Sequence, residues 1–293
     1  TASYDGEEML FPGDEVLVPD PSYVSYAPCV SLCGGKPVGI QTDAQAEFKI
    51  LPEALERSIT SRTRALILPY PNNPTGAVMT RRDLEKIVPV LKKHDIVIIS
   101  DEIYGELTYT PERHASIAEF AELHDRVVLL SGFSKSFAMT GWRIGYACAH
   151  RDLMAAMVKI HQYTIMCAPI MSQAAACEGL VKSMSDGFAQ VESMKRAYNR
   201  RRRVILSAVR EMGLSCFEPQ GAFYIFPSIK STGRSSEEFC EDLLKRQKVA
   251  VVPGTAFGAS GEGHIRCSYA YSIENIQDAL ARIRKYLEGN ERR

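Results

Sequence analysis

The stretch SGFSKSFAMTGWRIGYA, residues 131 to 147, brings together the residue types for covalent chemistry. Lys135 stands in a Ser/Gly loop after an apolar run, and Arg143 follows between Gly141 and Gly145. At the mouth of a buried sheet, desolvation disfavours the charged form of such a lysine and leaves a nucleophilic amine. One use for that amine is a Schiff base with an aldehyde cofactor. Taken alone, a lysine in a Ser/Gly loop reads equally as exposed or structural. The glycine spacing is not that of a G-x-x-x-x-G-K-[ST] phosphate loop.

Three further stretches carry candidate chemistry. In IVIISDEIYGELTY, Asp101 closes an apolar run and Tyr104 follows three residues on. Open α/β sheets bind ligands at strand C-terminal ends, where an aspartate can hold a ring nitrogen protonated and a tyrosine hydroxyl can bond a phenolate oxygen. A helix-capping aspartate is the competing reading. In LPYPNNPTGAV, residues 68 to 78, prolines and a glycine fix a turn that could aim Asn73 into such a site. In HIRCSYA, Arg266 lies inside an otherwise apolar strand. Its planar fork of donors suits bidentate capture of a carboxylate, and an internal salt bridge is the alternative.

The elements that must position these groups alternate along the chain. Continuous apolar runs at residues 15–19, 37–40, 65–68, 96–100, 127–131 and 144–149 predict strands covered on both faces. Helix-period segments fall at 52–60, at 80–94 with Thr80 and Asp83 at its start, and at 151–184 with a break near Pro169. A long polar helix is expected over residues 186–212, ending at Gly213. Strands near 222–226, 249–252 and 265–269, with helices near 236–246 and 273–287, read as a smaller α/β unit. The pattern predicts an α/β fold with a mostly parallel central sheet between helices. Two domains are expected, residues 1–195 for the larger and 196–293 for the smaller.

Composition narrows the function classes. The 293 residues carry 35 Lys plus Arg against 35 Asp plus Glu, a formal net charge of zero. No basic excess is available for nucleic acid or an anionic membrane. The Arg200 to Arg203 run does not change this, because four consecutive helical residues point in all directions; it reads as a solvated or domain-bridging feature. No apolar run approaches the roughly 18 to 20 residues of a membrane span. The eight cysteines form no C-x-x-C pair and the six histidines no H-E-x-x-H, so no metal site is expected. The apolar neighbours of most cysteines predict buried, reduced thiols in a cytoplasmic protein.

In this order, the stretches resemble the class I/II aminotransferases of pyridoxal-phosphate fold type I. The resemblance runs from PGDEVLVPDPSYVSYAP through PNNPTGAV, SDEIYGEL, GFSKSFAMTGWRIGYA, GAFYIFP, VAVVPGTAFG and HIRCSYA to the final helix. It is nearest to the prokaryotic aspartate, aromatic and N-acetyl-diaminopimelate aminotransferases. It implies that Lys135 forms the internal aldimine with pyridoxal 5'-phosphate and later shuttles a proton, and that Asp101 pairs with the pyridinium nitrogen. Tyr104 and Asn73 would bond the ring oxygen, and Tyr23 would stack on the ring. Arg143 would bind the phosphate with help from Ser134, or from Ser131, since Gly132 stands where relatives often carry Ser or Thr. Arg266, with Asn73, would hold the substrate α-carboxylate. The implied reaction is amino transfer between an L-amino acid and a 2-oxo acid, with 2-oxoglutarate the expected acceptor, in a cytoplasmic homodimer.

The resemblance also implies a phosphate-cradling Gly-Ser/Thr loop, a dimer-bridging arm and a tyrosine serving the neighbouring site, none of which is found before PGDEV. Residues 1 to 10 read as the tail of the helix after that loop, or as diverged sequence, so the chain is expected to be an N-terminally incomplete representative that binds the cofactor weakly. Two other functions share the scaffold. One is a C-S β-lyase with the same cofactor residues. The other is a non-catalytic effector module, which would carry a DNA-binding helix-turn-helix not seen here.

Overall fold

The computed structural model describes residues 3–4, 7–8 and 11–290. Ser3–Tyr4 (β1) and Glu7–Glu8 (β2) pair antiparallel, which does not fit the helix tail, one of the two sequence readings of this stretch. The rest of that stretch, residues 1–2, 5–6 and 9–10, lies outside the described residues.

The central sheet is built as the apolar runs predict. Glu15–Asp20 (β3) leads through helix Tyr26–Leu32 (α1) to Lys36–Gln41 (β4), and Pro52–Ser58 (α2) precedes Thr63–Leu68 (β5). Helix Arg81–Lys92 (α3) connects to Val97–Asp101 (β6), and then come Val127–Gly132 (β7) and Gly145–Ala149 (β8). The six strands lie in the order β4-β3-β5-β6-β7-β8, with every pairing parallel except β7 with β8. Thr80 starts α3 as expected, its hydroxyl accepting from Asp83 N while the Asp83 carboxylate accepts from Thr80 N. Leu84, Ile87, Val88 and Leu91 of that helix are buried with Leu17, Leu66 and Ile98 of the sheet.

Both edge strands depart from the expectation of two covered faces: Lys36, Gly39 and Gln41 of β4 are exposed, and so is much of β8. Strand β8 is the antiparallel edge of the sheet, and Gly145, Tyr146 and Cys148 are exposed. The pair β7 and β8 is built around two glycines, since a Cβ on Gly132 would lie 2.8 Å from Gly145 Cα.

Beyond the sheet, Pro169 separates helices Arg151–Thr164 (α4) and Ile170–Asp186 (α5), because a proline fits a helix start and breaks an interior. Helix Ala189–Glu211 (α6) follows. Its arginine run splits around the axis: Arg200 and Arg203 are exposed, while Arg202 is buried and donates to Asn199 Oδ1, Glu218 Oε1 and the Pro219 carbonyl. Tyr224–Ile225 (β9), helix Ser236–Gln247 (α7), Val252–Pro253 (β10), Ile265–Ser268 (β11) and helix Ile273–Asn290 (α8) complete the chain. The second sheet, in the order β10-β11-β9, is antiparallel. Beneath it lies a second apolar core that includes Ile225, Phe239, Leu243, Ile265, Tyr269 and Ile276. Strands β9 and β10 are shorter than the apolar runs predict, because only two residues of each enter the ladder.

The cysteines correct the expectation of buried thiols. All eight are free, but Cys29, Cys33, Cys148, Cys167 and Cys177 are exposed and only Cys240 and Cys267 are buried. Apolar sequence neighbours do not say which face a residue takes: Cys29 lies in α1, whose buried residue is Val30, Cys148 on the edge strand β8, and Cys177 in α5. Among the described residues no helix is long and apolar enough to cross a membrane.

Candidate active site

Because β3, β5, β6 and β7 are mutually parallel, their C-terminal ends open on the same edge of the sheet. The segments leaving those ends carry Tyr23 and Tyr26, Asn73, Asp101 and Tyr104, and Ser134 and Lys135. The second sheet closes the site from the other side. On β11, Ile265 and Cys267 turn into the small core, so strand alternation puts Arg266 on the opposite face. These groups, with Arg143 and Tyr224, line one cavity of about 530 Å³. All eight residues singled out from the sequence (Tyr23, Asn73, Asp101, Tyr104, Ser134, Lys135, Arg143 and Arg266) therefore meet at one place.

The Asn73 turn is held rigidly. Asn72 Oδ1 accepts from the Thr75 backbone and hydroxyl, and Gly76 adopts φ +72° where a Cβ would meet Pro219 Cβ at 2.3 Å. Buried Asn73 accepts from Arg266 Nη1 through Oδ1 at 2.9 Å, which leaves its amide N–H groups to face a ligand.

Asp101 caps no helix. Its Oδ1 accepts from Ile103 N at 3.1 Å and its Oδ2 from the Tyr26 hydroxyl at 2.7 Å. Burial nevertheless pushes the carboxyl above the usual carboxylate range, and neighbouring Glu102 adds to this; Tyr26, Ile103 N and Lys135 oppose it. Such a carboxyl is completed by a cationic N–H, which would favour its charged form.

Lys135 has the reverse problem. Burial lowers its pKa, and the positive charges of Arg143 and Arg266 lower it further against the pull of Asp101. More of the amine is therefore neutral at a given pH than for an ordinary lysine, and its lone pair is available to a carbonyl carbon. The Nζ lies 5.7 Å from the ring centroids of both Tyr104 and Phe223.

Arg266 is fixed by the Asn73 bond and by two rings, with its guanidinium carbon 4.5 Å from the Tyr224 centroid and 4.8 Å from that of Phe257. Its Nε is buried without a partner, and no carboxylate pairs with it among the described residues. The internal salt bridge offered as the alternative for Arg266 is therefore not found among the described residues. Exposed Arg143 takes a left-handed backbone, φ 52°, which costs a non-glycine residue about 1 kcal/mol or more. One guanidinium N–H is tied to the Thr140 carbonyl at 2.8 Å. Ser131 and Ser134 both line the cavity, but Ser131 donates to the Glu102 carbonyl at 3.3 Å. Tyr23, 42% exposed, packs edge-on against Tyr26.

Two site residues escaped the sequence reading. Tyr26 was visible as the second tyrosine of PDPSYVSY, one helical turn after Tyr23, and Tyr224 as the polar ring inside the apolar run AFYIFP. Neither signal says which partner its hydroxyl meets.

The unmet demands of the cavity are complementary to one ligand class: an electrophilic carbonyl for Lys135, a ring N–H for Asp101, and anionic groups for Arg143 and Arg266. Comparison with known proteins gives the same result. The family model for aminotransferase class I and II matches residues 8–283. The YugH protein of Bacillus subtilis is 52% identical over 95% of this chain and 71% of its own length. An aspartate aminotransferase of Pyrococcus abyssi is 45% identical, over 95% of this chain and 71% of its own. The crystal structure of an aromatic aminotransferase from Pyrococcus horikoshii superimposes with a TM-score of 0.93 at 44% identity, covering 96% of this chain and 75% of that one. The chain belongs to the class I and II aminotransferases, with their fold type I architecture. It is a transaminase, and its cofactor is pyridoxal 5'-phosphate.

Proposed function

We propose that this chain transfers an amino group from an L-amino acid to 2-oxoglutarate, with Lys135 as the reacting amine. The observation that carries this reading is the convergence of Lys135, Asp101, Tyr104, Asn73, Arg143 and Arg266 on one cavity. Asp101 would hold the ring nitrogen, Tyr104 and Asn73 the ring oxygen, Tyr23 the ring face, and Arg143 with Ser134 the phosphate. When bound, pyridoxal phosphate supplies an aldehyde carbon and a conjugated ring that takes up the electron pair freed at the substrate Cα. Arg266 receives the α-carboxylate of donor and acceptor alike, which lets one site serve both half-reactions. The freed Lys135 Nζ would carry the proton from the substrate Cα to the cofactor carbon that bears the aldehyde, and in the opposite direction in the second half-reaction. Tyr26 holds Asp101 in place through the 2.7 Å bond.

Replacing Asp101 by asparagine is expected to lower kcat/KM by about 100- to 1000-fold, the usual loss for one preorganised electrostatic partner. Cofactor retention should weaken by roughly tenfold or more, since a hydrogen bond to a charged group is lost. Steady-state kinetics and a cofactor titration check both; wild-type values would remove Asp101 from the ring nitrogen.

The test of the function itself is a panel of amino donors, with aspartate, tyrosine and phenylalanine first, each mixed with 2-oxoglutarate. Glutamate should form with at least one donor. Pyruvate and ammonia from L-cystathionine, with no glutamate from any donor, would replace transfer by elimination.

The larger unit is assigned to residues 1–195 and the smaller to 196–293. The assembly is assigned as a homodimer because Tyr163 at the end of α4, Ile165 and Met166 in the link, and Ile170 and Met171 at the start of α5 expose large apolar side chains. Sedimentation should give about twice the 32.6 kDa chain mass; a monomer at micromolar concentration would contradict it. Free thiols at every cysteine support a cytoplasmic setting.

A further inference from the structure

The hydroxyls of Tyr104 and Tyr224 lie 3.2 Å apart in the wall of the cavity. Tyr104 comes from the turn after β6 and Tyr224 from β9, so the contact joins the two sheets. Both side chains are buried, at 6% and 8% exposure. Among the described residues, neither hydroxyl has another hydrogen-bond partner. A phenol carries one proton. If the Tyr104 proton points to the cofactor ring oxygen, the bond between the tyrosines can form only with Tyr224 as donor. Any other arrangement leaves a buried hydroxyl proton without an acceptor. The Tyr224 ring is itself fixed, with the Arg266 guanidinium over its face and Phe223 packed at 4.7 Å between centroids.

We propose that Tyr224 is a positioning residue whose hydroxyl donates to the Tyr104 oxygen and so commits the Tyr104 proton to the cofactor ring oxygen. This rests on the assignment of Tyr104 to that oxygen. In such a chain each bond polarises the next, and Tyr104 becomes the stronger donor. The small unit thereby acts on the cofactor as well as on the substrate carboxylate, through adjacent side chains of its sheet.

The test is an absorption titration of the full chain loaded with pyridoxal phosphate, comparing Tyr104→Phe, Tyr224→Phe and the double variant. Weaker donation to the ring oxygen leaves the lysine linkage more basic, so the midpoint of the visible band moves up. Tyr224→Phe should raise it by about 0.5 to 1 pH unit, the scale of one neutral hydrogen bond. Tyr104→Phe should raise it at least as far, and the double variant should match Tyr104→Phe alone. Placing 3-fluorotyrosine at position 224 keeps the ring and strengthens the donor, so it should lower the midpoint. This substitution keeps the question answerable if Tyr224→Phe fails to fold. An unchanged midpoint in Tyr224→Phe beside a raised one in Tyr104→Phe would overturn the role of Tyr224 and leave the site assignment standing. Additive shifts in the double variant would overturn it too. No response to either single change would remove Tyr104 from the ring oxygen, and the proposal with it.

Discussion

Replacing Lys135 by alanine is expected to abolish the visible absorption band of the loaded protein and to lower kcat by about 10⁴-fold or more. Acid-base work by a positioned side chain alone contributes about 100- to 10⁴-fold, and Lys135 is also assigned the covalent attachment of the cofactor. The neighbourhood supports both tasks. Burial and the charges of Arg143 and Arg266 lower the lysine pKa. The sign is that of a group whose neutral form is favoured: the free amine appears at lower pH than for an exposed lysine, and turnover limited by it rises at correspondingly lower pH. Alanine leaves room for an added small amine, so methylamine should restore part of the activity. An alanine variant that kept the band and the rate would mean that another residue does this work.

The second large effect is expected at Arg266. Truncating one partner of a buried, hydrogen-bonded charge pair typically costs about 2 to 5 kcal/mol, so Arg266→Ala should lower kcat/KM by roughly 30-fold to 1000-fold or more. The loss should be similar for the amino donor and for the 2-oxo acid, because both present the same α-carboxylate to the same guanidinium. It should appear chiefly in KM, as for an interaction made equally in the ground and transition states. The Asn73 contact sharpens this expectation. Arg266 Nη1 is already committed to Asn73 Oδ1, while the buried Nε is unpartnered, so Asn73→Ala should show a smaller loss of the same kind. An Arg266→Ala variant impaired for only one of the two substrates would contradict the carboxylate role.

Much of the site was legible in the sequence because its residues occupy places that are anomalous locally. Arg266 is a charge in an apolar strand, Asp101 ends a buried run, and Lys135 follows one; each departs from what core packing alone asks. What remained hidden depends on contacts between distant positions. The Tyr26 bond to Asp101 spans 75 residues, and that of Tyr104 to Tyr224 spans 120. Neither strand nor helix periodicity contains information about which hydroxyl will meet which oxygen across such a separation.

The direction of β8 was hidden for a different reason. Its composition resembles that of the parallel strands, but a parallel return needs a crossover of a dozen or more residues, usually a helix. The link between Gly132 and Gly145 is long enough for a crossover but contains no α-helix, only the short turn Thr140–Trp142. The lack of a helix-period segment in the link was the usable signal here. The exposed cysteines mark the opposite limit. Hydropathy tells which residues leave water, but not whether they do so inside one chain or against another surface, and Cys167 is exposed beside exposed Met166.

The most direct measurement of the central claim is to load the chain with pyridoxal phosphate, reduce it with borohydride, and map the modified peptide by mass spectrometry. The phosphopyridoxyl group should be found on Lys135, and prior addition of an amino donor without acceptor should prevent the labelling. Modification at another lysine, or labelling of Lys135 that the amino donor leaves unchanged, would contradict the assignment of this residue as the reacting amine.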